Sequence, residues 1–108
     1  MTVKELVFAS DFNEISVPVP EKEVKGVYIG DLLSWVMGRS ESGNIWITFM
    51  SNSNIVAVAT LADVSCILLS EGVTLTDDVI ALANSKGVNI FSTELATYEA
   101  AVKVKELI

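Results

Sequence analysis

Histidine is absent from this 108-residue sequence, and cysteine occurs once, at Cys66. Without histidine there is no ready general base near neutral pH, no serine triad of the usual kind and little material for a zinc site. A lone cysteine closes no internal disulfide and holds no metal cluster. Basic residues are scarce: seven Lys and Arg stand against fourteen Asp and Glu, a net charge of −7. Nucleic acids and anionic membrane surfaces are bound through basic patches, so neither is an expected partner. Long apolar runs are missing too. The best candidate, Ile55 to Leu69, is broken by Thr60, Asp63 and Ser65, short of the roughly 18 uninterrupted residues a spanning helix needs. The opening Met-Thr-Val-Lys-Glu lacks the basic region and apolar core of a signal peptide. These features together point to the cytoplasm. No Gly-x-x-x-x-Gly-Lys loop occurs, and no Gly-x-Gly-x-x-Gly follows the first regular strand. No catalytic residue and no cofactor is therefore assigned, and the chain is read as not an enzyme.

What is present is an apolar chain of single-domain length, residues 1–108. Hydrophobic residues make up 51% and charged ones 19%, with a mean hydropathy of +0.51. That is too apolar for disorder. It implies strands buried on both sides, an apolar face covered by a second subunit, or both.

The pattern along the chain is regular. Thr2-Val3-Lys4-Glu5 has the form of a capping box and predicts a short helix over Val3 to Phe8. Asn13 to Pro20 reads as an edge strand or extended segment, because its two prolines cannot serve a central ladder. Lys22 to Lys25 is a charged turn. Strands are expected at Val27-Tyr28-Ile29, Ile45 to Phe49, Val64 to Leu69 and Val88 to Phe91. Between them lie helices. The first is capped by Asp31 and stopped by Gly38; the second follows Ser51-Asn52-Ser53-Asn54 and covers Ile55 to Ala62. The third opens at Thr76-Asp77-Asp78 and stops at Gly87. A last helix is expected over Glu94 to Leu107, with Thr97, Ala101, Val104 and Ile108 as its apolar stripe and a Glu99–Lys103 pair on its polar side. Strand–helix alternation with short, continuously apolar strands predicts a mainly parallel α/β sheet with helices on both faces, doubly wound through right-handed crossovers.

Few residues offer chemistry. Cys66 sits in an apolar run and reads as a core residue. Asp77-Asp78 lies in the first turn of a helix, where negative charge is favoured. The remaining signal is positional. In parallel α/β sheets ligands bind beyond the carboxyl ends of strands. Those ends here bring Gly30, Asp31, Asn52, Ser53, Ser70 and Gly72 to one rim. Helix capping alone accounts for such residues, and ligand binding also accounts for them. Asp31 and Glu71 on the rim favour a neutral or weakly anionic small molecule over a polyphosphate. Trp35, beside Leu32, Leu33, Val36 and Met37, gives two helical turns more apolar surface than one stripe needs. Subunit contact and simple burial both remain open for it.

From Val24 to Leu107 the sequence resembles the DRTGG domain family, which is similar to the N-terminal domain of HPr kinase/phosphorylase and occurs in some phosphotransacetylases and between CBS domains. The resemblance rests on Thr2-Val3-Lys4-Glu5-Leu6, on Val27-Tyr28-Ile29-Gly30-Asp31-Leu32-Leu33 and on Cys66-Ile67-Leu68-Leu69-Ser70-Glu71-Gly72. It continues through Gly87-Val88-Asn89-Ile90-Phe91-Ser92-Thr93 and Thr97-Tyr98-Glu99-Ala100-Ala101. The family's Asp-Arg pair falls near Ser53-Asn54 here, and its Thr-Gly-Gly at Ser70-Glu71-Gly72. The kinase relative's catalytic domain has no counterpart in these residues. The resemblance implies an α/β sheet and a regulatory or scaffolding role as a homodimer, alone or with an unidentified protein partner. The alternative is a sensor of a metabolite or nucleotide at the carboxyl rim.

Overall fold

The computed structural model describes residues 1–108. Its elements run α1 (Val3–Ala9), β1 (Asn13–Ser16), β2 (Gly26–Ile29), α2 (Leu33–Arg39), β3 (Asn44–Thr48), α3 (Asn54–Ala62), β4 (Cys66–Leu69), α4 (Asp77–Lys86), β5 (Ile90–Ser92) and α5 (Thr97–Leu107). One five-stranded sheet has the order β1-β5-β4-β3-β2. β2 to β5 are parallel, and β1 adds antiparallel to β5. The expected α/β class and helices on both faces are present.

The winding differs from expectation. β2, β3, β4 and β5 are neighbours in sequence order, so the sheet advances in one direction only. Right-handed crossovers then put every connecting helix on the same face. That face is a core of Val36 from α2, Ile55, Val56, Val58 and Ala59 from α3, and Val79 and Ala83 from α4, packed on Trp46, Ile67, Leu69 and Ile90. The opposite face is covered by the terminal helices. Val3 and Leu6 of α1 and Ala100 and Val104 of α5 pack on Ile45, Ile47, Cys66, Leu68 and Phe91. Every residue of β3 and β4 is buried, and much of the high hydropathy goes there.

Local chemistry sets the element ends. The capping box forms: Glu5 N–H donates to Thr2 Oγ1 at 3.2 Å and Thr2 N–H to Glu5 Oε1 at 3.3 Å. Gly87 ends α4 at φ 72°, as expected of a left-handed stop. Asp31 does not cap α2. Its carboxylate is drawn to β3, and Leu32 takes the cap position without a side-chain hydrogen bond. Gly38 lies inside α2; Ser40 closes the helix, its N–H donating to the Val36 carbonyl. The last helix starts at Thr97, not Glu94. That start turns Ala100 and Val104 inward, leaves Ile108 54% exposed, and forms no Glu99–Lys103 ion pair. The edge strand is shorter than expected, ending at Ser16. Residues 17–25 then run along the amino end of the sheet to the far edge, fixed by Asn89. The buried Asn89 amide accepts from Val19 N–H at 3.0 Å and donates to the carbonyls of Val19 at 2.8 Å and Ser65 at 3.0 Å.

Two groups yield predictions. Cys66 is wholly buried, and burial pushes its thiol up to about 12. Iodoacetamide at pH 8 should therefore leave native Cys66 unmodified and label it only as urea unfolds the chain, read by mass spectrometry. Asp63 closes α3 in the left-handed conformation at φ 54°. The Ser42 hydroxyl donates to its carboxylate and Lys22 Nζ lies 3.4 Å away; the Ser42 bond chiefly, and Lys22 with it, lower its pKa below 3.8. A depressed carboxylate stabilises the fold fully above its unfolded value and loses that contribution as pH falls through the folded one. Asp63→Asn should flatten that part of the acid limb in urea midpoints measured against pH.

Candidate functional site

The carboxyl ends of the parallel strands form one rim, and the structure divides it in two. At the β2–β3 end, Thr48 Oγ1 donates to Asp31 Oδ1 at 2.7 Å and Phe49 N–H donates to the same oxygen at 3.2 Å. Gly30 stands beside them, its carbonyl accepting from Trp46 Nε1 at 2.8 Å. The Tyr28 ring packs against it so closely that a Cβ at Gly30 would lie 2.9 Å from Tyr28 Cε2. Asp31 is thus a brace between two loops, with one carboxylate oxygen already committed.

The β4–β5 end is built differently. β4 leads to α4 on one face and β5 to α5 on the other, so the two connections diverge here and nowhere else among the parallel strands. Ligand crevices in open α/β sheets lie at such divergences. Ser70 is fully buried, and its hydroxyl shares a 2.8 Å hydrogen bond with Thr97 Oγ1. Glu71 N–H donates to the Leu95 carbonyl at 2.8 Å and Gly72 N–H to that of Thr93 at 3.0 Å. Glu71 adopts the left-handed φ of 65°, unusual for a residue with a side chain. Its carboxylate swings over the start of α5. Thr97 N–H donates to Glu71 Oε2 at 2.8 Å, and Thr97 Oγ1 reaches the same oxygen at 3.1 Å. A helix N-terminus attracts an anion, and here the chain supplies its own. Gly72, at φ 70°, lies against Glu94, whose Oε2 would be 2.6 Å from a Cβ there.

Asn52 and Ser53 belong to neither half. Asn52 Oδ1 accepts from Asn54 N–H at 2.9 Å, a local turn that starts α3. Ser53 makes no capping bond and lines a groove of about 350 Å³ between α3 and α4, with Val56, Ala57, Leu61, Leu82 and Lys86. A second hollow, of about 400 Å³, adjoins the β4–β5 end and is lined by Asp11, Asn13, Thr93, Glu94, Leu95 and Lys103. The six expected residues therefore share a rim without lining one cavity. Gly30 pairs with Asp31, and Ser70 with Gly72. Thr93 falls at a strand end that the sequence places on the rim, whereas Thr48 and Thr97, whose hydroxyls bond Asp31, Ser70 and Glu71, were not expected there, since threonine at a strand or helix end carries no distinctive spacing. Glu71 was visible on the rim as a charge; its capping of a helix that begins twenty-six positions later was not.

Removing that cap has a defined cost. Glu71→Ala should destabilise the fold by about 1 kcal/mol, the usual loss for an N-cap. Glu71→Gly should cost less, because glycine accepts the left-handed backbone freely. Urea denaturation of both variants checks the order.

Comparison with known proteins places this architecture. The family model described as the DRTGG domain matches residues 20–107. The chain is similar in structure to one from Clostridium perfringens, the CBS and DRTGG domains of the regulatory region of pyrophosphatase, complexed with its activator diadenosine tetraphosphate. The TM-score is 0.78 at 14% identity, covering 99% of this chain and 47% of that one. This chain thus spans about half the length of its structural relative. No curated protein sequence matches it. The family model takes in every resembling stretch except Thr2 to Leu6, and on that match the chain belongs to the DRTGG domain family.

Proposed function

We propose that residues 1–108 form a single non-catalytic regulatory or scaffolding module that acts as a homodimer in the cytoplasm. The observation that carries this reading is an uncovered apolar edge. β2 is the last strand of the sheet and α2 the outermost of its three crossover helices. Together they leave Ile29, Leu32, Trp35 and Met37 between 47% and 57% exposed. Trp46 is core, as a buried tryptophan with a bonded indole should be; Trp35 is not, and only the Arg39 guanidinium, 3.6 Å from its ring centroid, lies over it. Exposed apolar clusters of this kind mark interaction surfaces. The regulatory assignment is supported by family membership and by the described role of the C. perfringens region.

A second reading is favoured by the divergence of α4 and α5 at the β4–β5 rim. There the module senses a neutral or weakly anionic small molecule, through Ser70 and Gly72 and, along the same rim, Gly30, Asp31, Asn52 and Ser53. Glu71, already seated on α5, disfavours a polyphosphate at that helix start.

Light scattering should return twice the chain mass of 11.6 kDa, and a single-chain mass would overturn the homodimer. Melting temperatures taken with a panel of nucleotides and metabolites, diadenosine tetraphosphate included, separate the two readings. A ligand that binds only the folded form raises the melting temperature, by about 2.7 kcal/mol of stabilisation at a hundred times its Kd. Loss of that rise in Asn52→Ala or Ser70→Ala assigns it to the rim. Gly72→Val is a poor probe, because its side chain would meet Glu94 at a strained backbone position.

A further inference from the structure

α3 and α4 each link parallel strands, so they lie side by side and run in the same direction. Between them is the groove of about 350 Å³ that Ser53 lines, a size usual for small-molecule sites. Its α3 wall is one helical stripe, Ser53, Val56, Ala57, Thr60 and Leu61. Leu82 and Lys86, one turn apart, form the α4 wall. Thr60 and Lys86 also line a hollow of about 120 Å³ that continues the groove toward the amino end of the sheet, with Lys22 and Asp63. Charge is graded along this crevice. Asp77 and Asp78 stand in the first turn of α4, at the Ser53 end, and Lys86 in the last. The carbonyls of that last turn have backbone donors: Gly87 N–H donates to those of Ala83 and Asn84, and Val88 N–H to that of Ala83. Lys86 forms no ion pair; the chain's two ion pairs join Met1 to Glu23 and Lys22 to Asp63. Lys22, Lys86 and Asp63 are the charged residues of the smaller hollow, so one positive charge there is uncompensated, in a chain of net charge −7.

We propose that this crevice binds an aliphatic monocarboxylate, with its head between Lys86 and Lys22 and its chain along Val56, Ala57, Leu61 and Leu82. The site is separate from the β4–β5 rim and stands independently of the homodimer reading. The occupant follows from charge and shape together. A wholly apolar ligand leaves the Lys86 ammonium unpaired. A dianionic phosphate brings a second negative charge to a hollow with one positive charge to spare, beside the Asp63 carboxylate. The reverse orientation carries the head toward Asp77 and Asp78. The Thr60 hydroxyl is no donor for the head, because it donates to the Val56 carbonyl at 2.9 Å. Lys22 is shared, its Nζ lying 3.4 Å from both Asp63 Oδ1 and the Val64 carbonyl oxygen, so Lys86 is the principal anchor. α3, nine residues long, offers about 13 Å of groove, which suits a chain of medium length such as that of decanoate. A chain laid there covers Leu61, which is 71% exposed.

The test is calorimetric titration of the full chain with decanoate below its micelle concentration, which should show saturable binding at one site. Decanol, with the same chain and no charge, should bind about tenfold more weakly. Octanoate, two methylenes shorter, should bind about fivefold more weakly. Lys86 and Ala57 are both exposed, so their variants should keep the wild-type circular dichroism. Lys86→Glu should weaken decanoate binding about tenfold or more by turning attraction into repulsion, and Lys86→Arg should retain it. Ala57→Trp should fill the groove and abolish binding. Backbone amide shifts on adding decanoate should move along α3 and α4 and stay fixed at Gly30 and Gly72. Absence of saturable decanoate binding to the wild-type chain overturns the proposal. Binding that survives both Lys86→Glu and Ala57→Trp is adsorption elsewhere on the apolar surface and overturns it equally.

Discussion

The order of the strands governs most of what this molecule can present to its surroundings. β2 to β5 follow one another across the sheet, and right-handed crossovers therefore stack α2, α3 and α4 on a single face. The apolar strands β3 and β4 still require cover on their other side. Only the two helices at the chain ends are left to provide it, so α1 and α5 become structural necessities. From this follow the lone divergence of connections, at β4–β5, and the shortage of cover at β2. A sheet wound in both directions from its centre would have placed a crevice between middle strands and a helix over each edge.

The β4–β5 divergence is where an α/β sheet offers a ligand its best seat, and here it is partly filled from within. Glu71 accepts a left-handed backbone to bring its carboxylate onto the Thr97 N–H. A non-glycine residue in that conformation is held by its surroundings at a cost of order 1 kcal/mol or more. The return is a charge-assisted bond at a helix dipole. An incoming phosphate would have to displace a tethered anion that is always present at high effective concentration. The neighbouring groups are also engaged within the chain: the Ser70 hydroxyl with Thr97, the Thr93 hydroxyl with Leu95 N–H and Gly72 N–H with the Thr93 carbonyl, while Glu94 sets a second carboxylate beside Gly72.

The architecture was legible because its signals are local or additive. Consecutive apolar residues in Cys66-Ile67-Leu68-Leu69 report burial on both faces, and Thr2 with Glu5 or Gly87 report helix ends through contacts within one turn. Failures arose where a tertiary partner outbid a local one. Asp31 has the composition of an N-cap, yet Thr48 and the Phe49 amide from the next strand claim its carboxylate. Ser92 to Ala96 reads as a helix start, but Glu71 from the neighbouring loop sets that start at Thr97 and so rotates the buried stripe onto Ala100 and Val104. The winding was hidden for a further reason: alternating strands and helices are the same in the sequence whichever side of the sheet the next strand joins. The rim residues were found as a class, since strand ends can be placed from the sequence. Their division between two braces and a groove depends on long-range hydrogen bonds that no spacing encodes.

The mean hydropathy, high for a chain of this size, can now be divided. One part is explained internally by β3 and β4, wholly buried between two layers of helix. The other part lies outside any core, on Val27 and Ile29 of β2 and on Leu32, Trp35 and Met37 at and within α2. Side chains of that kind on a surface cost solubility without adding to the stability of the single chain. The opposite edge shows that the fold has room for the usual protections, since β1 carries a bulge, a carboxylate and two nearby prolines. The acidic balance of the whole chain, −7, opposes indiscriminate association everywhere else. The bare β2 edge is therefore the part of the hydropathy that no packing within the chain accounts for, while β1 at the opposite edge is guarded.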